Sequence, residues 1–192
     1  MYARDIDIPF YDITKKLRLI KPDPKYAPVT IQWISKDEVT KYLGADFSKM
    51  TVEDEVKHLE NMVDDDDRYS WMIELDGEIV GNIESNEIKD LSQKYGVKTG
   101  AFWTLIGDPS NWGQGLGSSA KKAASNWAFS EGGFEMIEAK AYVQNIRSWS
   151  ALEKLGYHYE GIERGEVNGA PVEWKVYTLK KKDWEELNWS LK

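Results

Sequence analysis

Asp108-Pro-Ser-Asn-Trp112-Gly-Gln-Gly115-Leu-Gly117-Ser118 is the stretch that decides the fold. Before it lies Thr99 to Gly107 (Thr-Gly-Ala-Phe-Trp-Thr-Leu-Ile-Gly), apolar and too short for a helix, hence a central strand. After it, Ser118 to Phe129 is Ala-rich and is expected to be helical as far as Gly132-Gly133. The order strand, glycine loop, helix has a direct physical use. Glycines let a backbone approach a phosphate closely, and the unpaired N–H groups and positive end of the helix that follows hold its charge. The loop fits neither common phosphate fingerprint: no Gly-Lys-Ser/Thr follows, and position 118 is Ser, which breaks G-x-G-x-x-G. Taken alone it is equally a tight strand-to-helix turn with no ligand.

Working outward, Met136 to Val143 is a further strand, Asn145 caps a short helix through Leu155, and Gly156 ends it. Tyr157 to Arg164 and Val172 to Leu179 flank an Asn168-Gly169 turn, and a short helix closes the chain around Trp184 and Leu187. Upstream, Tyr69 to Leu75 and Glu78 to Ile88 flank Asp76-Gly77, a hairpin turn. Thr51 with Asp54 marks the start of a helix with an apolar stripe Val52, Val56, Leu59 and Val63. Asp64 to Asp67 should stop that helix by repulsion, and the run is either a solvated loop or an acidic lip for a cationic substrate. Val29 to Leu43 suggests short helical pieces, Leu17 to Lys21 a half-buried strand, and Lys89 to Lys98 a polar loop. Residues 1–16 show no clear period and are expected as an N-terminal extension, followed by one domain over 17–181 and a short C-terminal helix over 182–192. The order β-α-α-β-β-β-α-β-α-β-β, without internal repeat, gives an α/β fold with a mixed sheet.

Composition narrows the chemistry. The chain has 192 residues, with 25 Lys+Arg against 33 Asp+Glu and a net charge of −8, which argues against sequence-independent nucleic-acid binding. The longest apolar stretches fall far short of the roughly 20 residues of a membrane span, and the first ten residues form no signal-peptide core. A soluble, cytoplasmic protein is expected, monomer or homodimer. With no Cys there is no thiolate nucleophile and no Cys-ligated metal, and His58 and His158 lack spaced partner ligands, so no metal is expected.

Asn145-Ile-Arg-Ser148, followed by Leu152-Glu-Lys-Leu-Gly156-Tyr157, adds the second motif. At this point the chain resembles the GNAT superfamily of N-acetyltransferases. Its acetyl-CoA motif Arg/Gln-x-x-Gly-x-Gly/Ala maps onto Trp112 to Gly117, and its Asn-x-x-Ala/Ser and Lys-x-Gly-Phe/Tyr elements map onto Asn145 to Tyr157. Trp-Gly-Gln-Gly, with Trp33-Ile34 and Glu38-Val39 upstream, looks most like the RimJ/RimL-type branch, and the resemblance spans roughly residues 17–180. It implies a twisted mixed sheet with splayed central strands flanked by helices, and acetyl-CoA as cosubstrate. The pantetheine arm would lie between splayed strands on backbone groups near Leu105 and Ile106. The pyrophosphate would rest on the N–H groups of Gly113, Gln114, Gly115, Leu116, Gly117 and Ser118, with Trp112 opening this cofactor-binding motif, Asn145 on a pantetheine amide and Lys154 among the local cations.

The chemistry needs a neutral amine, a polarised thioester carbonyl and a proton for the departing sulfur. Many relatives place a Tyr four residues before the second-motif glycine. Here that position is Leu152, a departure. By resemblance to the RimL-like branch, Ser148, at the family's Ala/Ser position one helical turn after Asn145, is the hydroxyl best placed to donate to the sulfur instead, or else an ordinary first-turn Ser. Glu84 is the candidate base, or a surface Glu. Trp103 and Trp33 are candidate walls of the acceptor pocket, or core residues. The expected activity is acetyl transfer to a primary amine, a protein N-terminus or a small cationic amine such as a polyamine or aminoglycoside, within a ternary complex. Two alternatives remain open at the level of sequence: a catalytically silent acyl-CoA-binding module and a nucleotide-binding domain.

Overall fold

A computed structural model describes residues 1–10 and 12–187. Eight strands form a single sheet: β1 (Ile6–Ile8), β2 (Leu17–Ile20), β3 (Tyr69–Leu75), β4 (Glu78–Asn86), β5 (Thr99–Ile106), β6 (Met136–Tyr142), β7 (His158–Val167) and β8 (Ala170–Lys180). Their spatial order is β1-β2-β3-β4-β5-β6-β8-β7. Every neighbouring pair is antiparallel except β5 and β6, which are parallel. A parallel pair needs a crossover, and the helix α5 (Leu116–Ser130) supplies it.

The helices divide between the two faces. On one side α5 buries Leu116, Ala120, Ala124, Trp127 and Ala128 against Leu17, Leu19, Trp71, Ile83, Phe102 and Ile137. The small Ala side chains let α5 lie close to the sheet, and Trp127 fills the remaining space edge-on to Trp71, ring centroids 5.0 Å apart. On the other side α1 (Ala27–Ile34), α2 (Asp37–Thr40) and α3 (Val52–Asp64) bury Ala27, Trp33, Val39, Leu59 and Met62 with Ile20 and Met72 of the sheet. Thr51 and Asp54 form the expected reciprocal cap of α3, which ends at Asp64 as the like-charge run begins. Asp76 and Gly77 take φ of 52° and 90°, the positive values their hairpin requires. α6 (Ile146–Lys154) follows β6 and α7 (Lys181–Glu186) follows β8.

Three stretches differ from the sequence reading. Lys89 to Lys98 is not a loop: Ile88–Tyr95 forms the helix α4, which buries Ile88 and Leu91 on one side and ends at Gly96 with φ 71°. An apolar spacing of i, i+3 over so few residues is masked by the polar residues between. Residues 1–16 are not without structure, since β1 pairs with β2 and buries Ile6 and Ile8 either side of an exposed Asp7. An alternation three residues long carries no readable period. At the other end α7 covers the start of the expected 182–192 helix, and residues 188–192 lie outside the described residues. Among the described residues no helix is long and apolar enough to cross a membrane.

Candidate active site

The parallel ladder between β5 and β6 is short. It pairs Thr99 with Met136, Gly100 with Ile137 and Ala101 with Glu138, and stops there. Beyond it β6 stays paired with β8 as far as Tyr142 and β5 stays paired with β4 as far as Ile106. The two central strands therefore diverge into a V, and β5 passes from buried residues (Thr99 to Phe102) to half-buried ones (Trp103 to Ile106) where the gap opens.

Which backbone groups face this slot follows from the phase of the β4–β5 ladder. Gly107 donates its N–H to the Val80 carbonyl at 2.9 Å, and Leu105 pairs with Asn82 with its carbonyl against Gly81. Bonding residues alternate in an antiparallel pair, so Trp103, Leu105 and Gly107 are turned toward β4 while Phe102, Thr104 and Ile106 are turned toward β6. Two side chains confirm this from outside the ladder. Trp112 donates Nε1–H to the Ile106 carbonyl at 2.9 Å, and Lys121 donates to the Phe102 carbonyl at 3.0 Å. The free main-chain groups of the slot are thus the N–H and C=O of Thr104 and the N–H of Ile106. Of the two residues expected there, Ile106 turns its N–H toward the gap, whereas alternation commits the backbone groups of Leu105 to β4 and turns those of Thr104 to the gap.

At the open end sits the glycine loop. Gly113 and Gly115 have φ of 77° and 76°, a region costly for any residue with a Cβ, and Gly115 is the residue before α5. No side chain caps α5, so the N–H groups of Leu116, Gly117 and Ser118 point out of the helix end. The loop is anchored below by Asp108, which accepts from the Ser110 hydroxyl and N–H at 2.7 and 2.9 Å and pairs with Lys36 at 3.1 Å. Those Ser110 bonds, then Lys36, hold the Asp108 carboxyl down at about 2. Gln114 bonds the Ser110 carbonyl at 2.9 Å, and the Arg147 guanidinium stacks 3.7 Å over the Trp112 ring, joining α6 to the loop.

The remaining candidates fall into three groups. Asn145 uses its Oδ1 to cap α6, accepting from the Ser148 N–H at 3.3 Å, which leaves its side-chain amide protons available. Ser148 is half-buried one turn in, with no hydroxyl partner among the described residues. Lys154 is exposed at the far end of α6, about 14 Å from Asn145 along the axis, so the structure does not bring it to the slot.

Glu84 stands opposite Trp103 on the face that carries α1 and α3, where Arg68 Nη1 holds it at 3.0 Å. Trp103 donates Nε1–H to Asn86 at 3.0 Å and is half-buried. Trp33 is buried flat against Gly107, where a Cβ would fall 1.9 Å from its ring; it is a strut under the strand end rather than an open pocket wall. The acidic run is largely spoken for: Asp65 pairs with Arg68 at 3.5 Å, Asp66 with Lys89 at 2.8 Å, and Asp67 accepts the Lys89 N–H at 2.8 Å. It ties α3 to α4 rather than presenting an acidic lip.

Sequence reading passed over Glu138. Its side chain is 0% exposed at the last rung before the V opens, yet it accepts from Tyr95 at 2.6 Å and Lys94 at 2.9 Å, with Lys140 at 3.6 Å. Burial alone raises its carboxyl, but the Tyr95 and Lys94 hydrogen bonds and the Lys140 charge outweigh that and hold it below its ordinary value. The available signal was the alternation Glu138, Lys140, Tyr142, which marks a polar face on a strand otherwise lined by Ala.

Comparison with known proteins is consistent with this geometry. Residues 16–158 match the family model of the acetyltransferase (GNAT) domain. An uncharacterized N-acetyltransferase, p20 of Bacillus licheniformis, is 24% identical over 181 residues, 89% of this chain and 96% of its own. Two solved structures share the fold. The microcin C7 self-immunity acetyltransferase MccE, solved with acetyl-CoA and AMP, superposes with a TM-score of 0.74 at 19% identity, covering 85% of this chain and 92% of its own. RimL, the ribosomal L7/L12 alpha-N-protein acetyltransferase, does so with a TM-score of 0.75 at 18% identity, covering 93% and 96%.

Proposed function

The chain belongs to the GNAT acetyltransferase family and is an N-acetyltransferase, and from that premise we propose that it transfers the acetyl group of acetyl-CoA to a primary amine by direct attack in a ternary complex. The observation that carries this is the slot between β5 and β6, which opens onto the uncapped N-terminus of α5. A pyrophosphate on the N–H groups of Gly113 to Ser118 gains the helix end and needs no side-chain cation. The pantetheine arm then runs down the β5 edge, taking the Thr104 and Ile106 backbone groups and the Asn145 amide.

The acceptor approaches from the face carrying Trp103 and Glu84. Its nitrogen attacks the thioester carbon, the C–N bond forms, and the C–S bond breaks with its electron pair leaving on sulfur. Ser148 donates the proton that completes the thiol and is reprotonated from water, while the acceptor's proton leaves through water to Glu84, which releases it to solvent. A thiol acyl-enzyme is ruled out by the absence of Cys. Likeness to RimL favours a protein N-terminus as the acceptor, with a small cationic amine the second choice.

The test is calorimetric titration with acetyl-CoA, followed by free-thiol release across peptide, polyamine and aminoglycoside acceptors. Release on one class names the substrate; binding with no release on any class makes the protein a silent acyl-CoA module. Replacement Ser148→Ala is expected to lower kcat more than about tenfold while the acetyl-CoA dissociation constant holds. An unchanged kcat would remove Ser148 from the mechanism.

A further inference from the structure

Lys121 of α5 is buried with its ammonium on the β5 backbone, and its surroundings are unusual for a cation. It is 9% exposed, and its ammonium donates to the Phe102 carbonyl at 3.0 Å. Among the described residues no carboxylate lies within ion-pair distance. A buried cation without a counter-charge is costly, and a lysine has three donors of which this contact uses one.

Its position is fixed by the ladder. The β5–β6 pairing ends at Ala101 and Glu138, and Phe102 is the first residue whose carbonyl faces the widening gap. In a sheet that continued, the next β6 amide would take that oxygen. Lys121 takes it instead, so the ammonium lies in the gap itself, at its closed end. Phe102 is four residues, about 13 Å, down the strand from Ile106 at the loop end of β5, and an acyl-CoA held by its pyrophosphate brings its acyl end toward this point. A second unsatisfied group lies on the same strand: Thr104 Oγ1 is buried without a partner, its methyl on the side of Gly117.

We propose that Lys121 is the electrophilic group of the slot, donating a spare N–H to the thioester oxygen of the acyl donor. This rests on the acyl-CoA reading of the slot. As the acceptor nitrogen bonds the acyl carbon, the C=O π pair moves onto oxygen beside the ammonium. When that pair returns, the C–S bond breaks and sulfur leaves with its electrons; Lys121 stays protonated throughout. The electrostatic gain is large because the ammonium is buried and already in place.

Burial pushes the Lys121 ammonium down to about 8, with no charged neighbour contributing. The layer between α5 and the sheet is apolar and holds Ile8, Leu17, Leu19, Ile83 and Phe102. Of the tyrosines in that layer, Tyr2, Tyr157 and Tyr177 are all pushed up by burial and stay neutral, and Tyr69 packs on Trp127 near the far end of α5. The group is therefore a cation at neutral pH and loses its charge just above it.

The experiment is Lys121→Met, assayed by thiol release and by calorimetric titration with CoA. The expected result is a kcat lower by about a hundredfold or more with the CoA dissociation constant changed less than about threefold. A kcat within about threefold of wild type overturns the proposal, and so does a parallel loss of CoA affinity and kcat, which would make Lys121 a structural wedge. Should the variant fail to fold by circular dichroism, the wild type decides: kcat at saturating acetyl-CoA is expected to fall above a pH of about 8, and a profile flat well past it overturns the assignment. A wild type that binds no acetyl-CoA overturns the slot reading, whereas binding with turnover indifferent to Lys121 overturns this role alone.

Discussion

Gly117→Glu abolishes acetyl-CoA binding, with a dissociation constant raised more than about a hundredfold, and leaves the fold intact. The two halves of this result have separate grounds. Gly117 lies in the first turn of α5, and a Cβ there would meet Ile106 and Thr104 at 3.5 and 3.7 Å, ordinary contacts. A carboxylate in the first turn of a helix is favoured by its positive end, and the chain places no acidic residue in that turn of α5. Loss of binding therefore cannot be assigned to unfolding. What the new carboxylate occupies is the concavity formed by the N–H groups of Leu116, Gly117 and Ser118, where it competes with the pyrophosphate by charge and by volume. Calorimetry with acetyl-CoA and a thermal melt on the same preparation check both halves. Retained affinity would displace the pyrophosphate from this loop. Gly115→Ala is a poorer probe, because φ of 76° there makes any side chain strained whatever the ligand does.

The legibility of this site in the sequence has a physical pattern. Glycines at required turns, the Thr51 cap, the Asp76-Gly77 hairpin and the short apolar run of β5 are local signals, and the strands and most helices follow from them. The phase of a strand is not local. Whether Thr104 or Leu105 offers free backbone groups depends on which partner β5 is bonded to, and that is fixed by the Val80–Gly107 bond with β4. The partners of charged residues are not local either. Glu84 reads as a free carboxylate until β3 and β4 bring Arg68 to it, and Asp66 reads as a free acid until α4 brings Lys89. Lys121 sits in an Ala-rich helix beside Lys122, and nothing in that spacing says which of the two is buried. The motif residues of the loop were recognisable because their chemistry is written in backbone conformation; the side-chain electrostatics of the slot were not, because they arise from contacts across the sheet.

Removing Glu138 is the largest stability change expected outside the apolar core. Its carboxylate joins α4 to β6 at the last rung before the strands part: Lys94 and Tyr95 of α4 meet on one oxygen, and Lys140 of β6 approaches the other. Glu138→Ala leaves Lys140 with Glu163 at 2.9 Å but strips the Tyr95 hydroxyl of its acceptor and leaves a void beside Ala101. Breaking a buried pair from one side costs about 3–5 kcal/mol, and the lower end applies here because Lys94 is half-exposed and regains water. The sign of the pH dependence follows from the direction of the shift. The folded carboxyl lies below its ordinary 4.5, so its contribution is complete above that value and is lost as pH falls through the lower folded-state value. Urea unfolding at neutral pH should thus separate wild type from Glu138→Ala by about 3 kcal/mol, with the gap closing in acid. A separation under about 1 kcal/mol at neutral pH would show that the V is held at its apex by the β5–β6 backbone ladder alone and that the carboxylate is incidental.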